Sequence, residues 1–158
     1  MSRFLITGLP RSRTAWFAVA TGALHEPFSR EGFSFFPKWA DGGISDSGAG
    51  SVLGAIIHDF KPRTLVIDRP MGEVVISLRD YGVWFDGAEG LLGRLYQALQ
   101  YDHPLIKRVA YDDLRDHRVM EGCMDWLGVK VPNLHQLMHM NIQSDLAWNL
   151  NLLRERAA

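Results

Sequence analysis

Arg3-Phe-Leu-Ile-Thr-Gly-Leu-Pro-Arg-Ser-Arg-Thr-Ala-Trp16 decides the reading of this chain. The apolar run Phe4-Leu-Ile6 predicts a strand buried on both faces; it stops at Gly8, and a helical pattern starts near Arg13. A strand that turns sharply into a helix leaves the first helical N–H groups unpaired, and those groups with the positive end of the helix dipole attract an anion. Arg11 and Arg13 add forked donors suited to phosphate or sulfate oxygens, and no acidic residue precedes Glu26. The same residues fit an ordinary strand-to-helix turn with solvated arginines. Strand, glycine, basic fork, hydroxyls and helix nevertheless follow one another in the order that an anion site requires.

Outward from this loop, strand and helix patterns alternate, which predicts an α/β fold with a central, mainly parallel sheet covered on both faces. Further buried strands are expected at Thr64 to Asp68 and around Ile106 to Ala110. Helical faces follow at Val52, Leu53, Ile56, Ile57 and Phe60, at Leu91, Leu92, Leu95, Tyr96 and Leu99, and at Met120, Cys123, Met124 and Leu127, the last stopped by Gly128. A final amphipathic helix is expected to carry Ile142, Leu146, Leu150 and Leu153. The segment from Phe33 to Gly50 is irregular, and its aromatic residues read equally as core or as a cover for a ligand. Gly48-Ala-Gly50 with Gly54 superficially suggests a dinucleotide fingerprint, but the spacing is one residue too long and no strand clearly precedes it.

A chain of 158 residues with 47% hydrophobic content is long enough for one substantial core and too short for two. The net charge of −1 gives no global signal for nucleic acid or membrane. The sequence has no apolar run of the ~20 residues that span a bilayer and no signal-peptide core, and its single cysteine excludes an internal disulfide. A cytoplasmic setting is the expectation. Laid over the nucleoside-triphosphatase loop, Gly8 takes the first glycine, but Arg13, Thr14 and Ala15 replace the second glycine, the lysine and the magnesium-binding hydroxyl. Phosphate geometry survives there without the equipment for magnesium.

Gly8-Leu-Pro-Arg-Ser-Arg-Thr-Ala-Trp16 resembles the 5′-phosphosulfate loop of the sulfotransferases, which use 3′-phosphoadenosine 5′-phosphosulfate (PAPS). Leu65-Val-Ile-Asp-Arg-Pro-Met-Gly-Glu-Val-Val-Ile-Ser-Leu78 resembles their 3′-phosphate motif, with a serine eight residues after the arginine. Val109-Ala-Tyr-Asp-Asp-Leu114 and Trp126-Leu-Gly-Val129 resemble a pair found near the end of these domains. The resemblance implies a single sulfotransferase-like domain over residues 1–158, a three-layer α/β/α sandwich of the P-loop type that moves a sulfuryl group to a hydroxyl or amine.

By the same resemblance Gly8, Pro10, Arg11, Ser12, Arg13, Thr14 and Ala15 form the 5′ loop, Trp16 packs on adenine, and Arg69 and Ser77 grip the 3′-phosphate. Arg11 then neutralises the leaving group, and no metal is required. Arg11 and Arg69 are expected to centre two separated anion cradles on a common sheet edge. Two residues depart from the pattern: Arg13 fills a glycine position, crowding the phosphate unless it turns outward, and Ala15 removes a hydroxyl. The G-x-x-G-x-x-K stretch of longer relatives is missing.

Glu26, in His25-Glu-Pro27, resembles a Glu-Pro of carbohydrate-type members and is the candidate general base, with His25 and Asp46 as alternatives. The implied partner is a small-molecule or carbohydrate acceptor; the short length also allows dependence on a second copy. A magnesium-dependent nucleotide kinase and a non-catalytic nucleotide-binding module are the rival readings. His135 and His139, four apart, read as exposed helix histidines rather than metal ligands, His58 as exposed, and Arg115, Asp116 and Arg118 as a solvated face.

Overall fold

A computed structural model describes residues 3–142. Five parallel strands run β1 (Phe4–Gly8), β2 (Leu24–His25), β3 (Gly43–Ser45), β4 (Arg63–Asp68) and β5 (Ile106–Ala110), in the spatial order β2-β3-β1-β4-β5. The central strand β1 pairs along its whole length with β4, from Phe4 opposite Arg63 to Gly8 opposite Ile67. The α-helices are α1 (Thr14–Thr21), α2 (Pro27–Glu31), α3 (Leu53–Phe60), α4 (Met71–Asp80), α5 (Ala88–Leu99), α6 (His117–Leu127) and α7 (Leu134–Met138).

The strand period of two sorts the core into two layers. Phe4 and Ile6 of β1 and Leu65 and Ile67 of β4 pack with Trp16 and Phe17 of α1 and with Met120, Cys123, Met124 and Leu127 of α6. Leu5 and Val66 face the other way, onto Leu53, Ile56 and Ile57 of α3, Val74 of α4, and Leu92 and Leu99 of α5. Helices therefore cover both faces of the parallel sheet, a three-layer α/β/α arrangement. Each fully buried Leu, Ile or Phe in these layers contributes about 1.5–3 kcal/mol.

The chain path sets where a ligand fits. After β1 it enters α1 on one face, whereas after the neighbouring strands β3 and β4 it enters helices on the other face. Diverging connections open a crevice at the carboxyl edge. Gly8 ends β1 at that edge, and it is glycine because a Cβ there would sit 2.7 Å from the Ile67 carbonyl oxygen. Pro70 holds Arg69 extended and caps α4, so β4 ends with the Arg69 side chain at the same edge.

The strands at Phe4, Thr64 and Ile106 and the stop at Gly128, which adopts φ 72°, agree with the sequence reading. On α5 the core stripe is Leu92, Leu95 and Leu99, while Leu91 and Tyr96 turn to solvent, 49% and 44% exposed. In the irregular segment Phe35, Phe36 and Trp39 are core, packed with Phe60, and Phe33 is exposed. Arg115, Asp116 and Arg118 are exposed, as expected, and Asp116 in addition caps α6 by accepting from the Arg118 N–H at 2.8 Å. Of the final helix expected from sequence, Ile142 is described and buried; Leu146, Leu150 and Leu153 lie outside the described residues. Among the described residues no helix is long and apolar enough to cross a membrane.

Two glycine replacements separate backbone contact from helix propensity. Gly8→Ala should cost about 1–3 kcal/mol, because the added methyl meets backbone that has no room to retreat. Gly93→Ala, inside α5 with nothing within 4 Å of the new methyl, should stabilise by about 0.5–1 kcal/mol. Urea unfolding of both variants checks the pair, and equal shifts would contradict the packing.

Candidate functional site

The loop from Leu9 to Arg13 is wound by two non-glycine residues with positive φ, Arg11 at 66° and Arg13 at 65°. Such positions cost about 1 kcal/mol or more for a side chain with a Cβ, and persist where surrounding contacts fix them. Arg13 occupies the position where the phosphate-loop pattern has glycine, and it adopts the glycine-like conformation. Its guanidinium turns to the Leu114 carbonyl at 3.2 Å, the outward placement that the loop needs. Among the described residues no side chain caps α1, which leaves its first N–H groups without a side-chain acceptor there. Ser12 Oγ is fully buried and has no hydrogen-bond partner among the described residues.

A cleft of about 650 Å³ lies over this loop at the carboxyl edge. Pro10, Arg11, Arg13, Thr14, Ala15 and Trp16 line it from the loop side, His25, Glu26 and Ser47 from the ends of β2 and β3, and Arg69, Ser77, Tyr81 and Tyr111 from beyond β4 and β5. Arg11 Nε donates to Ser77 Oγ at 3.3 Å, and its guanidinium lies 4.3 Å from the Tyr81 ring centre. Arg69 donates to the Arg11 carbonyl, lies 4.2 Å over Tyr111, and pairs with Glu73 at 3.4 Å. Each arginine–tyrosine stack contributes about 0.5–2 kcal/mol.

Arg11, Arg69 and Ser77 share one mouth on a common edge. Arg69 reaches the Arg11 backbone carbonyl, so the two expected cradles border one cleft. Arg69 is not locked in an internal ion pair, since Glu73 is 45% exposed on the side chain and the contact is long.

Trp16 departs from its expected role. It is 2% exposed, its indole N–H donates to the Leu137 carbonyl at 2.9 Å, and Phe17 packs edge-on against it. A ring so enclosed packs chiefly as core, although Trp16 also borders the cleft. Tyr81, 50% exposed, and Tyr111 are the aromatic surfaces at the mouth.

The carboxylates divide by environment. Asp46, completely buried, accepts the N–H groups of Phe28, Ser29 and Ala49 and the Ser29 hydroxyl, at 2.6 to 3.0 Å. It is a staple between β3 and α2, which removes it as a general-base candidate. Glu26 faces the cleft and accepts from Thr14 Oγ1 at 3.2 Å and from the N–H and hydroxyl of Ser47 at 3.1 Å. Burial first, then the Asp46 charge, raises its carboxyl from 4.5 to about 7. His25 is buried beside it, Nε2 3.7 Å from Glu26 Oε1, and burial lowers its imidazole from 6.5 to about 4. A neutral histidine next to a carboxyl poised near neutrality favours Glu26 as the group that exchanges a proton.

Ser47 and Ser29, which hold Glu26, escaped the sequence reading. The usable signal was position: Ser47 comes two residues after β3, at the edge where ligands sit. His135 packs against His117 and His139 at ring distances of 5.5 and 5.0 Å, and His139 lines the cleft. Among the described residues no group of three or more His, Cys, Asp or Glu side chains is placed to hold a metal ion. His58 is exposed. No protein-family model matches the chain, and no curated protein or solved structure matches it either.

The two shifted groups act on stability with opposite signs. Glu26, raised, contributes stability that is present below pH 4.5 and lost as pH rises towards 7; His25, lowered, contributes stability that is lost as pH falls from 6.5 towards 4. Between pH 4.5 and 6.5 they cancel in the native chain. Glu26→Gln should unmask the histidine, giving stability that climbs with pH across that window in chemical denaturation. A flat profile in the variant would contradict the burial of one of the two.

Proposed function

We propose that the chain is a small sulfotransferase of the P-loop type, moving the sulfuryl group of PAPS to a hydroxyl or amine acceptor. The observation that carries this reading is the convergence of Arg69 and Ser77, from the segment after β4, on the loop after β1. A ligand with two anionic groups on one small body suits such a mouth better than a single phosphate does. The uncapped start of α1, the orphaned Ser12 hydroxyl and the cleft-facing guanidinium groups fit the 5′ end of the donor.

When bound, PAPS supplies the sulfuryl group and a bisphosphorylated leaving group. Arg11 offsets negative charge gathering on the leaving side, having exchanged its Ser77 contact for an anionic oxygen. Arg69 and Ser77 hold the 3′-phosphate, which fixes the register of the nucleotide along the edge. Glu26, held by Thr14 and Ser47, receives the acceptor's proton; its raised carboxyl is substantially ionised at neutral pH and still basic enough to take it. A cytoplasmic setting belongs to the same reading. A non-catalytic binding module is the second reading, favoured by the enclosed Trp16, which packs chiefly as core.

Isothermal titration without magnesium should show 3′-phosphoadenosine 5′-phosphate binding about 10–100-fold more tightly than AMP, and Arg69→Ala should erase the difference. Equal affinities for the native chain would overturn the assignment. In a transfer assay Glu26→Gln should lose about 100-fold or more in rate while nucleotide affinity stays within about twofold. Donor binding with no transfer to any of a broad set of alcohols, phenols, sugars and amines would favour the binding module.

A further inference from the structure

Glu26 and Asp46 are joined by one hydroxyl. Ser29 Oγ lies 2.7 Å from Glu26 Oε2 and 2.8 Å from Asp46 Oδ1, both full hydrogen-bond lengths between oxygens. A serine hydroxyl has a single proton and donates to one acceptor only. Two such contacts to two ionised carboxylates leave one of them as a lone-pair collision. The geometry is satisfied by a second proton on one of the carboxyls. Asp46 is the poor host, because three backbone N–H groups already occupy its oxygens. Glu26 is the better host: the Ser47 N–H and hydroxyl are shared between its two oxygens at 3.1 to 3.2 Å, and Oε1 can keep both of them, with the Thr14 hydroxyl, when Oε2 carries the proton.

We propose that Ser29 is a positioning residue that carries a proton bridge, Glu26 Oε2–H to Ser29 Oγ–H to Asp46 Oδ1. Only O–H bonds change: Ser29 takes the Glu26 proton as it gives its own to Asp46, and the reverse shift restores the start. Asp46 is completely buried, so release to solvent runs from Ser29, which is exposed and does not line the cleft: Ser29 Oγ takes the Glu26 proton as it gives its own to a water, and Asp46 orients the hydroxyl. A proton that Glu26 receives from an acceptor in the cleft thus has an exit that does not cross the bound ligands. This rests on the reading of Glu26 as the proton acceptor and adds the residue that empties it.

The surroundings are built for that hydroxyl. A Cβ at Gly48 would lie 2.5 Å from Ser29 Oγ, so the glycine keeps its place clear. The other titratable neighbours are His25, beside Glu26 and held neutral by burial, and Arg30, whose charge reaches His25. From the loop before α1 comes Arg13, whose guanidinium is tied to the Leu114 carbonyl.

Carbon-13 NMR of the carboxyl of Glu26, followed from pH 4 to 9 in the full chain without ligand, tests the bridge. Ser29→Ala combined with Gly48→Ala removes the hydroxyl and fills its place with a methyl that shuts out a substitute water. Its Glu26 midpoint should fall by about one pH unit or more, whereas Ser29→Thr, which keeps the hydroxyl, should hold the native midpoint. A serine that only donated to Glu26 would hold its midpoint down, so a rise in the double variant overturns the proposal, as does an unchanged value. The titration needs neither donor nor acceptor. Failure here with selective 3′-phosphoadenosine 5′-phosphate binding removes the bridge alone; loss of that selectivity with the expected titration removes the sulfuryl-transfer reading and leaves the bridge.

Discussion

The pairing of β1 with β4 is the constraint from which the rest follows. In-register parallel pairing along all five residues of β1 brings Gly8 so close to Ile67 that no side chain fits between them. The loop that leaves β1 must therefore turn beside the end of β4, and Arg69 meets the Arg11 carbonyl as a direct result. A slip of one residue would reverse the faces of Leu5 and Ile6, exchange the two core layers, and carry Arg69 away from the loop. Anion recognition and core packing are thus fixed by one hydrogen-bonded ladder.

Within that frame the cleft is a division of electrostatic labour. Guanidinium groups gather on the side of the loop and β4, each laid on a tyrosine that limits its motion without neutralising it. Carboxyls gather on the side of β2 and β3, Asp46 held by backbone donors and Glu26 raised towards neutrality by burial first and then by the Asp46 charge. Thr14 links the halves: it opens α1 beneath the anion loop, and its hydroxyl donates to Glu26. A chemistry that needs cations at one end of a reacting bond and a proton acceptor at the other finds both within a single crevice.

Much of this was legible from residues 3–16 and 63–78, because continuous apolar runs followed by glycine or proline mark buried strands and their ends regardless of context. The short strands β2 and β3 were not, since two or three residues give no period to read and their pairing depends on partners distant in sequence. The site was legible where a backbone requirement shaped it, as at Gly8 and Arg13. It was illegible where burial decided the role. Trp16 looks the same on paper whether it faces a ligand or Leu137, and Asp46 looks like any loop acid until three N–H groups are seen around it. Ser29 carried no signal at all, because what distinguishes it is the simultaneous reach to two carboxyls brought together by folding.

The positive φ angles of Arg11 and Arg13 have a bearing on how the molecule ages under selection. A glycine at either place would relax the turn, yet it would also discard the tether to Leu114 or the guanidinium at the mouth. The loop is a spring compressed during folding and latched from outside, so its shape is ready before any ligand arrives. Its latches, Leu114 and the Arg69 contact, sit on segments far along the chain. Mutations that loosen those remote segments will be felt first as a blunted recognition loop, well before the fold itself gives way.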